Sequence, residues 1–127
     1  MPAYDASLFS PPAPLARVTL RCSGTTIAVD DVPMLLDSGA DVTLLPKSFV
    51  GALGIAINPG AGYELMGFDG TKSVAQAAEL DLVFLKRAFI GRFLLIDQAW
   101  GILGRDVLNH VAVLLDGPKL IWTEHTP

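Results

Sequence analysis

Apolar and polar positions alternate with period two over much of this chain, which is the pattern of half-buried strands. From Leu15 to Cys22, Ala16, Val18, Leu20 and Cys22 fall on one side, and Leu15, Arg17, Thr19 and Arg21 on the other. Ser23-Gly24 turns this strand into a second one over Thr25 to Val29. Asp30-Asp31 then leads into an apolar run, Val32, Met34, Leu35 and Leu36, that ends at Asp37. The pattern is a β-meander. A second apolar run, Val42 to Leu45, follows a short stretch of small and polar residues, Asp37-Ser38-Gly39-Ala40-Asp41. Strand, tight loop and strand are predicted there.

Beyond Leu45, Pro46 to Leu53 suits a short helix, because proline is favoured in a first turn and Gly54 can end it. Asn58-Pro59-Gly60 resets the chain. Tyr63 to Phe68 and Thr71 to Val74 flank Asp69-Gly70, a strong hairpin signal. Glu79 to Leu85 and Phe89 to Ile96 are two further strands joined around Lys86-Arg87, with Leu80, Leu82, Phe84, Phe93 and Leu95 as core positions. After the turn Asp97-Gln98-Ala99, Gly101 to Gly104 reads as a short buried strand and Arg105 to Val111 as a short helix. Ala112 to Leu115 and Lys119 to Thr123 form a closing hairpin around Asp116-Gly117. Residues 1–14, with Pro2, Pro11, Pro12 and Pro14, read as an extended, flexible arm before a single domain over residues 15–127. The chain is therefore all-β, with one or two short helices.

Composition narrows the functions. At 127 residues the chain is one domain, and 51% hydrophobic residues is more than so small a domain needs,. Some apolar surface is expected to be hidden by a partner subunit. No apolar run reaches the length of a membrane-spanning helix, and Met1 to Asp5 lacks a signal-peptide pattern, so a cytoplasmic location is the default expectation. A net charge of −4, with scattered basic residues, leaves no footprint for nucleic acid,. Cys22, the single cysteine, cannot form an internal disulfide and is expected to be a small buried hydrophobe,. His110 and His125 have no ligand spacing with it, so neither a metal site nor a cofactor is expected. There is no nucleophile elbow, phosphate-binding loop or dinucleotide fingerprint.

Candidate chemistry concentrates at Asp37. The apolar residues before it anchor its backbone and leave its carboxyl poorly hydrated, the setting in which carboxyls do acid-base work. Ser38 adds a hydroxyl, Gly39 permits a sharp turn with room for a ligand, and Ala40 keeps the floor small. Asp-Ser-Gly alone is also ordinary turn chemistry. The wider stretch Leu35-Leu36-Asp37-Ser38-Gly39-Ala40-Asp41 resembles the active-site strand and loop of retroviral-type, or retropepsin-like, aspartic proteases. Gly101-Ile102-Leu103-Gly104-Arg105-Asp106-Val107-Leu108 resembles the strand that threads behind that loop in the family, with its Gly-Arg-Asp/Asn helix start.

That resemblance implies a closed acid-protease β-barrel of a single lobe, with a ψ-loop and a flap hairpin. It makes Asp37 the catalytic acid. With one Asp-Ser-Gly per chain, the second acid would come from a second copy in a homodimer acting on a polypeptide substrate. Ser38 would hold the two loops together across the axis, Asp41 would pair with Arg105, and Gly104 would allow close packing behind the loop. Met66, Gly67, Phe68, Asp69 and Gly70 would form the flap. Leu35, Ile102 and Trp100 would line pockets for apolar side chains at the cleaved bond, although each could equally be plain core. The viral enzymes build their dimer sheet from both termini, whereas here the closing hairpin, with Ile121 and Trp122, is the expected interface. A catalytically silent dimeric module of the same fold, used for peptide binding or assembly, is the alternative function, and a small β-barrel ligand carrier a third.

Overall fold

A computed structural model describes residues 2–66 and 72–126, with side chains described outside residues 59–75. Ten strands and two short helices are present among them: β1 (Tyr4–Asp5), β2 (Ala13–Arg21), β3 (Ala28–Leu36), β4 (Leu44–Pro46), α1 (Lys47–Gly51), β5 (Asn58–Met66), β6 (Lys72–Phe84), β7 (Arg87–Ile96), β8 (Gly101–Leu103), α2 (Arg105–Leu108), β9 (Val113–Asp116) and β10 (Ile121–Glu124). The strands order as β1-β2-β3-β8-β4-β7-β6-β5, and an additional β2–β6 pairing closes six of them into a barrel. The barrel is mixed: β3–β8 and β4–β7 run parallel, and the remaining neighbours antiparallel. Inserting β8 between β3 and β4 makes the ψ-loop.

Alternation explains the walls. In β2 the side chains of Ala16, Val18 and Leu20 are buried while Arg17 is exposed. Leu80 and Leu82 of β6 and Phe93 and Leu95 of β7 join them, with Met34, Leu45, Leu103 and Trp122. Fully burying each large side chain of this kind stabilises the fold by roughly 1.5–3 kcal/mol. Barrel closure carries a polar lock as well. Arg21 and Asp81 are register partners across β2–β6, and their side chains form an ion pair at 3.0 Å. Ser23 Oγ donates to the other Asp81 oxygen at 2.6 Å, so the buried carboxylate is satisfied from both sides,.

Three sequence expectations need correction. The strands expected over Thr25 to Val29 and on to Asp37 are one strand, β3, because residues 22–27 form the turn, with Cys22 N–H donating to Ile27 O. Asp30-Asp31 does not break it: Asp31 takes a left-handed φ of 58° at a register shift, and Asp30 accepts a bond from Thr19 Oγ1 on β2. Cys22, expected in the core, is half-buried at the end of β2. The amino-terminal stretch, expected as an extended or flexible arm, is hydrogen-bonded to the domain. Tyr4 and Asp5 pair with Pro14 and Ala13, Tyr4 N–H donates to Leu120 O, and Trp122 N–H donates to Pro2 O.

The β5–β6 hairpin extends to the Met66–Lys72 pair. Gly67, Phe68, Asp69 and Gly70 of the expected flap lie outside the described residues, as does the Met66 side chain. No helix among the described residues is long and apolar enough to cross a membrane.

The barrel lock has a pH signature. The Ser23 hydroxyl, then the Arg21 guanidinium, hold the Asp81 carboxyl below its ordinary value of 3.8. A depressed folded value means stability present at neutral pH that is lost as pH falls through 3.8 and on through the lower folded value,. Asp81→Asn is expected to unfold at lower urea than the parent at pH 7, and to lose less stability than the parent between pH 7 and pH 3. Urea titrations at the two pH values measure both.

Candidate active site

Asp37 sits immediately after β3, where the chain leaves the sheet. Its N–H donates to Leu103 O of β8 at 3.1 Å, so the ladder that holds β3 against β8 also fixes the start of the loop. Gly39 N–H donates to Asp37 Oδ1 at 3.0 Å, and Ala40 N–H to Asp37 O at 3.1 Å. The half-buried carboxylate is thus oriented by its own loop. A Cβ on Gly39 would lie 3.1 Å from that oxygen, so a larger residue there would press on the acid.

Behind the loop stand β8 and α2. Arg105 N–H donates to Ala40 O at 2.9 Å, and Arg105 Nη1 to Ser38 O at 2.8 Å. The pairing of Arg105 with Asp41 expected from the sequence is therefore corrected. The guanidinium bonds the Ser38 carbonyl instead. Asp41 itself is exposed.

A second bracket went unnoticed in the sequence. Asp106 Oδ1 accepts from Thr43 Oγ1 at 2.6 Å and Oδ2 from Thr43 N–H at 3.1 Å. Thr43 Oγ1 in turn accepts from the buried Gly104 N–H at 3.1 Å. Thr43 is buried to 1% exposure, and every bond it could make locally ties the loop's exit to the start of α2. Gly104 is needed for this approach: a Cβ there would stand 2.5 Å from the Val42 carbonyl carbon and 2.6 Å from its oxygen.

The alternation of β3 and β8 sorts the remaining candidates. Leu35 is the register partner of Ile102, and both are half-buried, whereas Gly101 and Leu103 are buried on the opposite side. Trp100, two residues before Ile102, is half-buried with it. Leu36, the last residue of β3, and Ser38 of the loop line a groove of about 540 Å3 with Leu108, Val113, Leu114 and Leu115. The strand pair therefore carries an apolar wall, Leu35 and Ile102, and leads into a loop that holds Asp37 and borders an apolar groove. No group of His, Cys, Asp and Glu among the described residues is arranged to hold a metal ion.

Neither protein-family models nor curated proteins give a match to this sequence. Solved structures do. The EIAV protease complexed with the inhibitor HBY-793 superposes with a TM-score of 0.61 at 23% sequence identity, covering 77% of this chain and 86% of that one. This is the retropepsin-like fold. The closed mixed barrel and the inserted β8 are what the sequence motifs implied of the fold. Trp122 departs from expectation: expected at an interface, it is 2% exposed in the barrel core, with Nε1 donating to Leu15 O at 3.0 Å. Neighbours in a strand point to opposite sides, and in β10 Trp122 is the one that points into the barrel,.

Two substitutions weigh the bracket. Thr43→Val keeps the shape but strips the acceptor from a buried N–H and the donor from Asp106, and is expected to lower stability by about 1–3 kcal/mol. Gly104→Ala forces backbone against backbone and is expected to cost about 3 kcal/mol or more. Denaturant midpoints at constant slope measure both, and unchanged midpoints would refute the bracket.

Proposed function

We propose that this protein is an aspartic endopeptidase that works as a homodimer, each subunit giving its Asp37 to one shared pair. The observation that supports this most is a half-built site: an oriented carboxylate beside an apolar wall, on a loop whose other side opens into an unpartnered apolar groove. Among the described residues no second carboxylate hydrogen-bonds Asp37.

An open sheet edge supports a docking place for the second copy. β9 pairs with β10 on one side and has no strand on the other among the described residues, while Leu114 and Leu115 on it are 56% and 53% exposed. On the far side of β10, Ala3 bridges Ile121, so that edge is already occupied. A second copy docking its own β9 about a two-fold axis would cover both leucines and continue the sheet. The groove runs from these leucines to Ser38, so such docking brings the two Ser38 loops together, and with them the two acids.

In the assembled pair, two full charges roughly 3 Å apart at an effective dielectric of about 20 repel by about 5 kcal/mol. One proton is therefore retained, as is familiar for paired aspartates of this class. The ionised carboxylate takes a proton from water, whose oxygen attacks the scissile carbonyl carbon, while the protonated partner's Asp37 donates to the carbonyl oxygen. Collapse of the resulting diol breaks the C–N bond as the amine nitrogen takes up a proton. No covalent enzyme intermediate forms. An extended peptide lies over Leu35 and Ile102, which favour apolar side chains at the cleaved bond.

Asp37→Asn is expected to cut peptide cleavage by about 10²–10⁴-fold while leaving the melting transition and the sedimenting dimer in place. Leu115→Glu is expected to weaken the dimer by more than about 100-fold, because an unpaired buried charge costs about 3 kcal/mol or more, with activity lost in parallel. Cleavage surviving in the Asn variant, or full activity in a sedimenting monomer, would refute the reading. A wild type that dimerises through β9 and cleaves no peptide would instead favour a silent peptide-binding module.

A further inference from the structure

The amino-terminal strand and the barrel share a cavity that peptide cleavage does not use. Its volume is about 420 Å3, within the roughly 300–1,000 Å3 of small-molecule sites. The barrel supplies an apolar lining: Leu15 of β2, Phe84 at the end of β6 and Trp122 of β10 are all buried, and the two rings stand tilted with centroids 6.0 Å apart. Trp122 Nε1 already donates to Leu15 O, so the indole has no donor left for a ligand. The other wall is residues 2–5, held in place by the Ala3–Ile121 bridge and by the backbone bonds of Pro2 and Tyr4 to β10 and the turn before it.

Three polar side chains line the same cavity, and they are unequally engaged. Asp5 Oδ1 accepts from Leu8 N–H at 2.6 Å, Ser7 N–H at 2.9 Å and Ser7 Oγ at 3.0 Å. These bonds, that of Leu8 foremost, hold the carboxyl below its ordinary 3.8, and the charge of Arg17 contributes least. Arg17 makes no hydrogen bond or ion pair with any described residue, and the Tyr4 hydroxyl makes no hydrogen bond. A cation and a hydroxyl are therefore left without partners beside buried aromatic surface. The turn from β6 to β7 adds an independent sign. Leu85, which lines the cavity, has φ 51°, and Lys86 has φ 63°. Glycine or asparagine would fill such left-handed positions without strain, so a leucine there keeps an apolar residue at the wall against its backbone preference.

We infer that this cavity is a second binding site, for a small monocarboxylate with an apolar or aromatic body. The body lies against Leu15, Phe84 and Leu85, and the carboxylate takes the Arg17 guanidinium, whose paired N–H groups match its two oxygens, together with the Tyr4 hydroxyl. Asp5 sets the charge: its carboxylate is already supplied with donors and repels a second anion, which favours one negative charge over two. A molecule so held touches both the amino-terminal strand and the barrel, and binding it stabilises the folded chain by mass action. None of this depends on the peptidase reading.

Octanoate, octan-1-ol, octylamine and octyl phosphate share a body and differ in the head group, and each is titrated calorimetrically onto the wild-type protein at neutral pH. Octanoate is expected to bind more tightly than the other three, by more than about tenfold over the alcohol, and to raise the melting temperature. Arg17 is exposed and bonds nothing, so Arg17→Gln leaves the fold intact; it is expected to lose that tenfold while binding octan-1-ol as before, and Arg17→Lys to fall between. Tyr4→Phe removes only the hydroxyl and is expected to weaken octanoate about threefold. In isotope-labelled protein, octanoate is expected to shift the amide resonances of Tyr4, Arg17 and Leu85 and to leave those of Leu114 and Leu115 in place. Equal affinity for octanoate and octan-1-ol, tighter binding of octylamine or octyl phosphate, octanoate binding unaltered in Arg17→Gln, or shifts confined to the β9 groove would each overturn the inference. These readouts need no cleaved peptide, so they stand whether or not the peptidase reading does.

Discussion

Everything at the site depends on one close approach: β8 can lie between β3 and β4 only because a glycine stands at its first position and another directly after its last. A Cβ on Gly101 would collide with Leu44 O, Met34 Sδ and Pro46 Cδ, and one on Gly104 with the Val42 backbone. With the strand inserted, Leu103 O receives the Asp37 N–H, Ile102 lies beside Leu35, and α2 begins directly behind the loop. Acid, wall and brace are thus consequences of the same packing. The flexibility that glycine costs in a strand is repaid by contacts no other residue would permit.

The loop between Asp37 and Thr43 has little apolar surface with which to hold itself. Its rigidity comes from polar bonds to α2, each contributing about 0.5–1.5 kcal/mol net. The asymmetry of such bonds is what makes the arrangement specific. Removing Thr43 Oγ1 leaves the buried Gly104 N–H without an acceptor, which costs more than the bond it made,. Arg105 works differently. Its guanidinium bonds a carbonyl rather than a carboxylate, so its main effect is geometric: it fixes Ser38, the residue that stands where loop and groove meet.

What could be read from the sequence was what is local. Alternation in β2, β6 and β7, a tight turn between β6 and β7 expected one residue later than its place at Leu85-Lys86, the closing hairpin and the two motif stretches around Asp37 and Gly104 all depend on neighbours within a few residues. The contacts that escaped are long-range side-chain choices. Thr43 and Asp106 are 63 positions apart, and Arg105 and Ser38 67, so no periodicity links them. Asp41 offered Arg105 a charge in the sequence, yet the guanidinium bonds the Ser38 carbonyl. Composition gave the proline-rich stretch as an extended or flexible arm and said nothing of where its backbone binds: Pro2 and Tyr4 bond Trp122 and Leu120. Strand alternation could have separated Ile121 from Trp122, since both cannot face outwards.

That stitching gives the strand β10 two duties. One of its edges holds β9, whose leucines form the apolar surface at the groove; the other holds Pro2 to Tyr4, from which the chain passes through the Asp5 turn to Phe9 and Trp100. The exposed hairpin and the wall beside the acid are consequently anchored to the same four residues. Burial of Trp122 in the barrel fixes that anchor, so the strand cannot shift towards one neighbour without being felt by the other,. The exposed β9 surface and the wall beside Asp37 are thus both hung from the barrel core that holds Trp122.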